Sequence, residues 1–527
     1  MSPTTTLVSS PGKVLVAGGY LVLDPLYSGT VVSTSSRFYT LVTDDLVQSG
    51  SGRRSPTSPI QIRVRSPQFV NATWTYKVTL PTGDNKSVLV EQVIDPSSAT
   101  VSKNKFVQLA IDRTIALASE ILGPSSTEPL LSNDIDIIIL GDNDFYSQRA
   151  QLTSRNLPPT LTSLTQLPSF LHTNVPISQV HKTGLGSSAA LITSLVSALL
   201  LHLKVIPPSS FDSKVEKSEN DGGVSEGRRL AHNLAQYVHC LAQGKIGSGF
   251  DVSAACFGSQ IYTRFGKEVL DPLMSVEGYN TTDVSLKTTL SSSNPLWNYR
   301  VEPFQLPPSI RLMLADVDAG SDTPSLVGKV LKWRKERPEE AKELWDHINL
   351  LNQKLSKTLR ELNILAEKFE VEYKKVVKYL SSLMYVQWLA NPSLPEAEQK
   401  IIEQFYQARQ TTEDIRAGMR KMGSLSCVPI EPPEQTDLLD TCISVAGVIG
   451  GGVPGAGGYD AIWLLVFDPE DCPQTDLPST RVEGVWSTYK SLDVSPLLAT
   501  ESKDKGVRIE SVDGVKGLKE LLSELPN

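Results

Sequence analysis

Cysteine is scarce in this chain of 527 residues, with only Cys240, Cys256, Cys427, Cys442 and Cys472. The number is odd and no two have Cys-x-x-Cys spacing. This argues against a disulfide framework and for free thiols in a reducing, cytoplasmic setting. The six histidines are scattered. They form no His-Glu-x-x-His pair and no finger spacing, so no protein-caged metal is expected. His232 and His239 could share a helix face, but two lone histidines there read as surface or core residues. No block of Lys or Arg offsets the net charge of -8. That argues against a nucleic-acid or membrane-surface partner and leaves any anionic ligand to local groups. Long apolar runs are also missing. The longest, Ala189 to Leu203, contains Thr193, Ser194, Ser197 and His202 and falls short of the ~20 residues that span a bilayer. Met1 to Ser10 lacks a basic n-region, so no secretory signal is expected.

What is present is ordinary globular material, 40% apolar and 20% charged, long enough for several domains of ~100–200 residues. Strands are expected at Val14–Ala17, Val31–Val42, Ile60–Val64, Thr73–Thr79, Ile135–Leu140, Ser259–Phe265, Ile310–Val317 and Ala461–Phe467. Helical spacing marks Lys105–Ile121, Ala189–Leu203, Ser225–Ala242 and Leu438–Val448. Gln48 to Pro59 is a Ser-, Gly- and Pro-rich loop, and Gly141 to Pro176 is expected to be a long, mobile surface excursion. Leu344, Ile348, Leu351, Leu355, Leu359 and Leu362 make a stripe. It is too short for a coiled coil and is read as a helix packed on its own domain.

Four glycine-rich segments carry the chemistry. The strongest is Lys182-Thr183-Gly184-Leu185-Gly186-Ser187-Ser188-Ala189-Ala190, leading into a helix. Phosphate oxygens need convergent N–H donors and no intruding side chains. Two glycines and a helix N-terminus supply both. Lys182 adds charge, and Ser187 or Ser188 could ligate Mg²⁺. The bland alternative, a Gly-Ser turn capping a helix, does not need the flanking lysine and the small-residue first turn. No Walker pattern is present. The second segment, Pro11-Gly-Lys13 to Gly18-Gly19-Tyr20, can present an amine and a phenol to one cleft; alone it reads as a solvated strand-edge lysine. The third, Lys245-Ile-Gly247-Ser248-Gly249-Phe-Asp251, places a carboxylate among apolar neighbours, where it is either an N-cap or a catalytic group. The fourth, Gly450 to Asp460, includes Gly455-Ala456-Gly457 and is either a close approach to a ligand or a tight hinge.

Together these segments resemble the GHMP kinase superfamily (galacto-, homoserine, mevalonate and phosphomevalonate kinases). Asp142–Ser147, Gly247–Asp251, Gly320–Ser325 and Pro429–Gln435 are similar to its long eukaryotic phosphomevalonate kinases. The resemblance covers nearly the whole chain, and Tyr459 stands where other members often carry a small residue. It implies an α+β fold of two domains. Residues 1–300 would form a ribosomal-S5-like ATP-binding domain with a left-handed βαβ unit, and residues 301–527 a ferredoxin-like domain. It implies that ATP and 5-phosphomevalonate give ADP and 5-diphosphomevalonate, with Mg²⁺, in a cytoplasmic monomer or weak homodimer. It implies catalytic Lys13 and Asp251, an ATP loop at 182–190 and a metal ligand at Ser188. The acceptor would meet Tyr20, Gly247, Ser248, Gly249, Ser321, Thr323, Ser325, Gly455, Ala456 and Gly457, with Arg149 as a further cation. The other classes weighed are an alcohol kinase of the same superfamily, a nucleotide-binding sensor that turns nothing over, and a helical scaffold.

Overall fold

The structure, a computed structural model, describes residues 5–44, 60–81, 87–94, 103–132, 134–212, 224–275, 284–317 and 323–525. The expected loop at 48–59 lies outside them. Strands β1 (Thr5–Ala17), β2 (Ser28–Thr43), β3 (Ile60–Arg65), β4 (Thr73–Thr79), β5 (Leu89–Val93), β6 (Ile135–Gly141), β7 (Gln260–Thr263) and β8 (Arg300–Pro303) belong to one sheet. The last of its nine strands is the short β13 (Arg508–Ile509), with β9 to β12 numbered below. The main path runs β13-β1-β2-β6-β3-β4-β5, and β7 pairs with β2 and β8. The pairing of β3 with β6 is parallel.

Helices of seven residues or more are numbered along the chain. On this sheet lie α1 (Lys105–Leu122), α2 (Ser187–His202), α3 (Glu226–Gln243) and α4 (Phe250–Phe257). Helix α2 packs on β1, β2, α1 and α3. Its middle is apolar and buried around most of its circumference, as a central helix must be. Helix α3 begins where the Ser225 hydroxyl accepts the Arg228 N–H and ends at the left-handed Gly244.

The second half has an antiparallel sheet in the order β10 (Val448–Gly452), β11 (Ala461–Phe467), β9 (Ile310–Asp316), β12 (Ser495–Leu497). The helices are α5 (Thr323–Glu336), α6 (Pro338–Lys368), α7 (Glu370–Ser381), α8 (Glu396–Ser426), α9 (Pro433–Ile443), α10 (Pro478–Thr488) and α11 (Leu518–Glu524). Strand alternation divides them. Leu312 and Leu314 join the core that includes α6 and α8. Met313 and Ala315 point the other way, to Leu438 and Leu439 of α9 and Trp486 of α10. The leucine stripe is buried, and α6 packs on α8 within the same chain.

Two differences from the sequence reading stand out. The helix expected over 438–448 stops at Ile443, and Gly450–Gly452 belong to strand β10, so the glycine-rich turn holds only Gly455, Gly457 and Gly458. The 141–176 excursion is tied down. Arg149 bonds the Asp316 carboxylate at 3.1 Å and the carbonyls of Asp316 and Asp493 at 2.8 and 2.6 Å. Among the described residues no helix is long and apolar enough to cross a membrane.

Candidate active site

The four glycine-rich segments meet near Lys13 of β1. A register shift lies between Pro11 and Lys13, and Lys13 pairs with Ser33 of β2. Its backbone N–H donates to the Leu185 carbonyl at 2.9 Å, and its Nζ donates to the Gly184 carbonyl at 2.8 Å. Gly184 and Gly186 both have φ of +79°, a left-handed conformation open to glycine. The chain then enters α2 with no side chain capping its first turn. Helix α4 likewise starts after a left-handed glycine, Gly249, but there the Asp251 carboxylate accepts the Val252 N–H at 2.9 Å. The uncapped first turn of α2 leaves N–H groups and the positive dipole end available to anions. Beyond Gly18 and Gly19, a short 3₁₀ turn carries Tyr20, whose hydroxyl donates to the Ala456 carbonyl at 2.7 Å. This bond joins the second glycine segment to the fourth.

Between them is a cavity of about 600 Å³. Lys13, Tyr20, Gly184, Gly186, Gly247, Ser248, Gly249, Asp251, Gly455, Ala456 and Gly457 line it, with His239, Gln243, Lys245, Arg264, Lys267, Arg334 and Asp460. Burial holds the Lys13 amine below the usual lysine range, while the charges of Asp251 and Asp460 push it back up. The amine also lies 5.5 Å from the centre of the Phe250 ring. Burial raises the Tyr20 phenol, which therefore stays protonated.

Residues 401–472 match the family model described as GHMP kinases C terminal. The chain is 38% identical over 526 residues to the peroxisomal phosphomevalonate kinase of Arabidopsis thaliana, covering 96% of each. It is 36% identical over 520 residues to the phosphomevalonate kinase of Gibberella zeae, covering 97% of this chain and 98% of the other. The chain belongs to the phosphomevalonate kinase family. Among solved structures, the fold is shared with the Lin0012 protein of Listeria innocua, at a TM-score of 0.58 and 14% identity over 96% of this chain and 100% of that one. It is also shared with a phosphomevalonate kinase of Streptococcus pneumoniae in complex with phosphomevalonate and AMPPNP, at a TM-score of 0.50 and 15% identity over 96% and 100%.

Not every residue singled out in this family member faces the cavity. Thr183 is buried, with its hydroxyl on the Asp144 carbonyl and its N–H on that of Phe145 at 3.3 Å. Leu185, Ala189 and Ala190 are core residues. Lys182 is exposed, and its backbone bridges to Tyr146. Ser187 opens α2. Ser321 lies outside the described residues. Thr323 begins α5, and Ser325 follows it, exposed and away from the cavity. From the same helix Val327, Leu331 and Arg334 do line it. Arg149 is occupied with Asp316 and Asp493 and does not reach it.

His239, which its sequence context marks as a surface or core residue, lines the cavity instead. Its Nε2 is 3.1 Å from the Ser188 hydroxyl, 3.1 Å from the Gln243 amide and 3.8 Å from the Asp251 carboxylate. It joins the phosphate loop to the α4 turn. A helix-face pattern alone could not show this, because both partners come from other segments. Asp251 lines the cavity and the half-buried Ser188 does not, but both lie beside His239 Nε2 and carry hard oxygen donors of the kind Mg²⁺ takes. Among the described residues no group of three or more His, Cys, Asp or Glu is arranged to hold a metal. An ion here would take most of its ligands from phosphates and water.

Proposed function

We propose that this chain transfers the γ-phosphoryl group of ATP to the phosphate of 5-phosphomevalonate, giving ADP and 5-diphosphomevalonate, on the route to isoprenoids and sterols. The observation that carries the proposal is the position of Lys13, whose amine is bonded to the phosphate loop and lies in the field of Asp251. The ATP phosphates rest on the N–H groups at the head of α2, with Gly184 and Gly186 leaving room. The acceptor phosphate lies against Gly247–Gly249 and the head of α4, with Tyr20 and Gly455–Gly457 forming the opposite wall. An oxygen of the acceptor phosphate attacks the γ-phosphorus, and the bond to the β,γ-bridging oxygen breaks, leaving ADP.

Two polyanions must approach each other, so positioning and charge neutralisation dominate. Lys13 supplies the charge between them. The acceptor phosphate has a second pKa of about 6 and is mostly dianionic at neutral pH, so little proton removal is needed. Asp251 therefore keeps Lys13 charged and oriented, and His239 fixes Ser188 relative to Asp251. Mg²⁺, when bound, would be held by Ser188 and Asp251 with the nucleotide phosphates and would neutralise charge on them.

The proposal includes the division at residue 300, a monomer or weak homodimer, and a cytoplasmic location. One relative is named peroxisomal, so imaging of the tagged chain decides the compartment. ADP release measured with 5-phosphomevalonate, mevalonate and homoserine tests the function. Turnover confined to 5-phosphomevalonate is expected. Preference for an alcohol, or ATP binding with no turnover on any acceptor, contradicts it.

A further inference from the structure

The Lys13 end of the cavity does not account for its other cations. Arg264 follows β7 and is only 2% exposed. Its Nη1 donates to the Leu23 carbonyl at 2.7 Å and its Nη2 to the Ile246 carbonyl at 3.2 Å. Its Nε is buried with no partner. Among the described residues no carboxylate forms an ion pair with it. A buried guanidinium normally has a carboxylate opposite it, because desolvation is otherwise uncompensated. Here the side chain faces the cavity.

The surrounding charges strengthen the case. Four carboxylates line the cavity: Asp24, Asp251, Glu268 and Asp460. Asp24 is bonded to Arg334 and to the Leu26 N–H. Asp251 and Asp460 act on Lys13. Asp24 and Glu268 also act on Arg264 from a distance, and against Arg264, Lys245 and Lys267 this still leaves an excess of positive charge. Lys245 and Lys267 are exposed, and neither is ion-paired among the described residues. Strand register separates this cluster from the reacting end. Lys13 pairs with Ser33 of β2, whereas Thr263, next to Arg264, pairs with Ser28, five residues further along the same strand. The guanidinium reaches back to Ile246, beside Gly247.

We infer that Arg264, with Lys245 and Lys267 around it, binds the carboxylate of the acceptor and sets its direction in the cavity. The inference rests on the proposed function. An acceptor with a phosphate at one end of its carbon chain and a carboxylate at the other must turn the phosphate toward ATP and Lys13. The carboxylate then points to the second group of cations. Arg264 is a specificity residue, able to tell the acid from a neutral analogue of the same shape.

The test uses 5-phosphomevalonate and its C1 carboxamide with the wild-type chain, Arg264→Gln, and the double variant Lys245→Met/Lys267→Met. Wild type is expected to use the carboxamide with a KM at least ~10-fold higher, the worth of one charge-assisted bond. Arg264→Gln should raise the KM for the acid by ~10–100-fold and the surface pair by about fivefold. Neither should change the KM for ATP, and both should leave the carboxamide KM within about threefold. Melting curves identify an Arg264→Gln chain that is not folded; the carboxamide and the lysine pair then decide. A carboxamide used as well as the acid, or variants that lose equally on both, overturns the inference alone. No turnover of the acid by wild type overturns the acceptor reading and this inference with it.

Discussion

Gly186→Ala is the sharpest perturbation of the phosphate loop, and Gly184→Ala is its control. Both glycines have φ of +79°. An alanine in that region costs ~1–2 kcal/mol, whichever of the two it replaces. At roughly 2–4 °C per kcal/mol for large domains, each variant should lose about 2–8 °C in Tm. The two sites differ in what a new methyl group meets. At 184 nothing lies within 4 Å. At 186 it meets Lys13 Cε at 3.0 Å and Cγ at 3.2 Å. Carbon atoms prefer about 3.5–4.0 Å, so the lysine stem must shift by roughly 0.5–1 Å. Misplacement of a reacting group by ~1 Å can cost ~10²-fold. Gly186→Ala should therefore lower kcat ~10²-fold, about 2.7 kcal/mol in the barrier. Gly184→Ala should leave Lys13 in place and raise the KM for ATP, because its methyl enters the space assigned to the phosphates. Steady-state kinetics beside thermal melts separate the effects. Equal losses of kcat in the two variants, or a folded Gly186→Ala with kcat within threefold of wild type, would refute the reasoning.

Lys13→Met should melt within a degree or two of wild type and turn over ~10²–10³-fold more slowly; a two- or threefold loss would return Lys13 to an ordinary strand-end lysine. In Asp251→Asn the field that raises the Lys13 amine is removed. The alkaline limb of its kcat profile should then move to lower pH, and the defect should be constant below that limb and grow above it. A defect that shrinks steadily from pH 6 to 9 would make Asp251 an obligatory base. Glu501 accepts the Leu306 N–H at 3.0 and 3.2 Å, and burial pushes its carboxyl up to about 7 from 4.5. The folded chain thus keeps a proton that the unfolded chain has lost between those values, and stability falls as pH rises across the window. Glu501→Gln keeps an acceptor for Leu306 and should melt higher than wild type at pH 8 with little difference at pH 5; parallel Tm profiles would show that Glu501 contributes no such slope.

Local rules made much of this molecule legible. Period-2 stretches became strands and period-3.6 stretches became helices, with Ser225 and Gly244 bounding α3 as capping chemistry requires. Gly450 to Gly452 misled because glycine usually marks a turn. Here it allows close approach: a methyl on Gly451 would lie 2.4 Å from Leu464 and one on Gly450 2.9 Å from Thr412 of α8. Such a reason lives in packing between distant segments and leaves no local pattern. The phosphate loop was legible because one short run carries its whole chemistry. His239 was not, because its partners Ser188 and Asp251 reach it only in the fold. Arg149 had the right charge but the wrong neighbours, since Asp316 and Asp493 lie beside it.

The most direct test of the account is phosphorus NMR of the product formed from ATP and 5-phosphomevalonate. The account predicts that the acceptor's monoester signal disappears and a phosphoanhydride pair replaces it, one equivalent of ADP appearing for each acceptor consumed. A new monoester with the original phosphate unchanged would mean that a hydroxyl was phosphorylated instead, and ADP formed with the acceptor untouched would mean hydrolysis; either result would contradict transfer between two phosphates at Lys13.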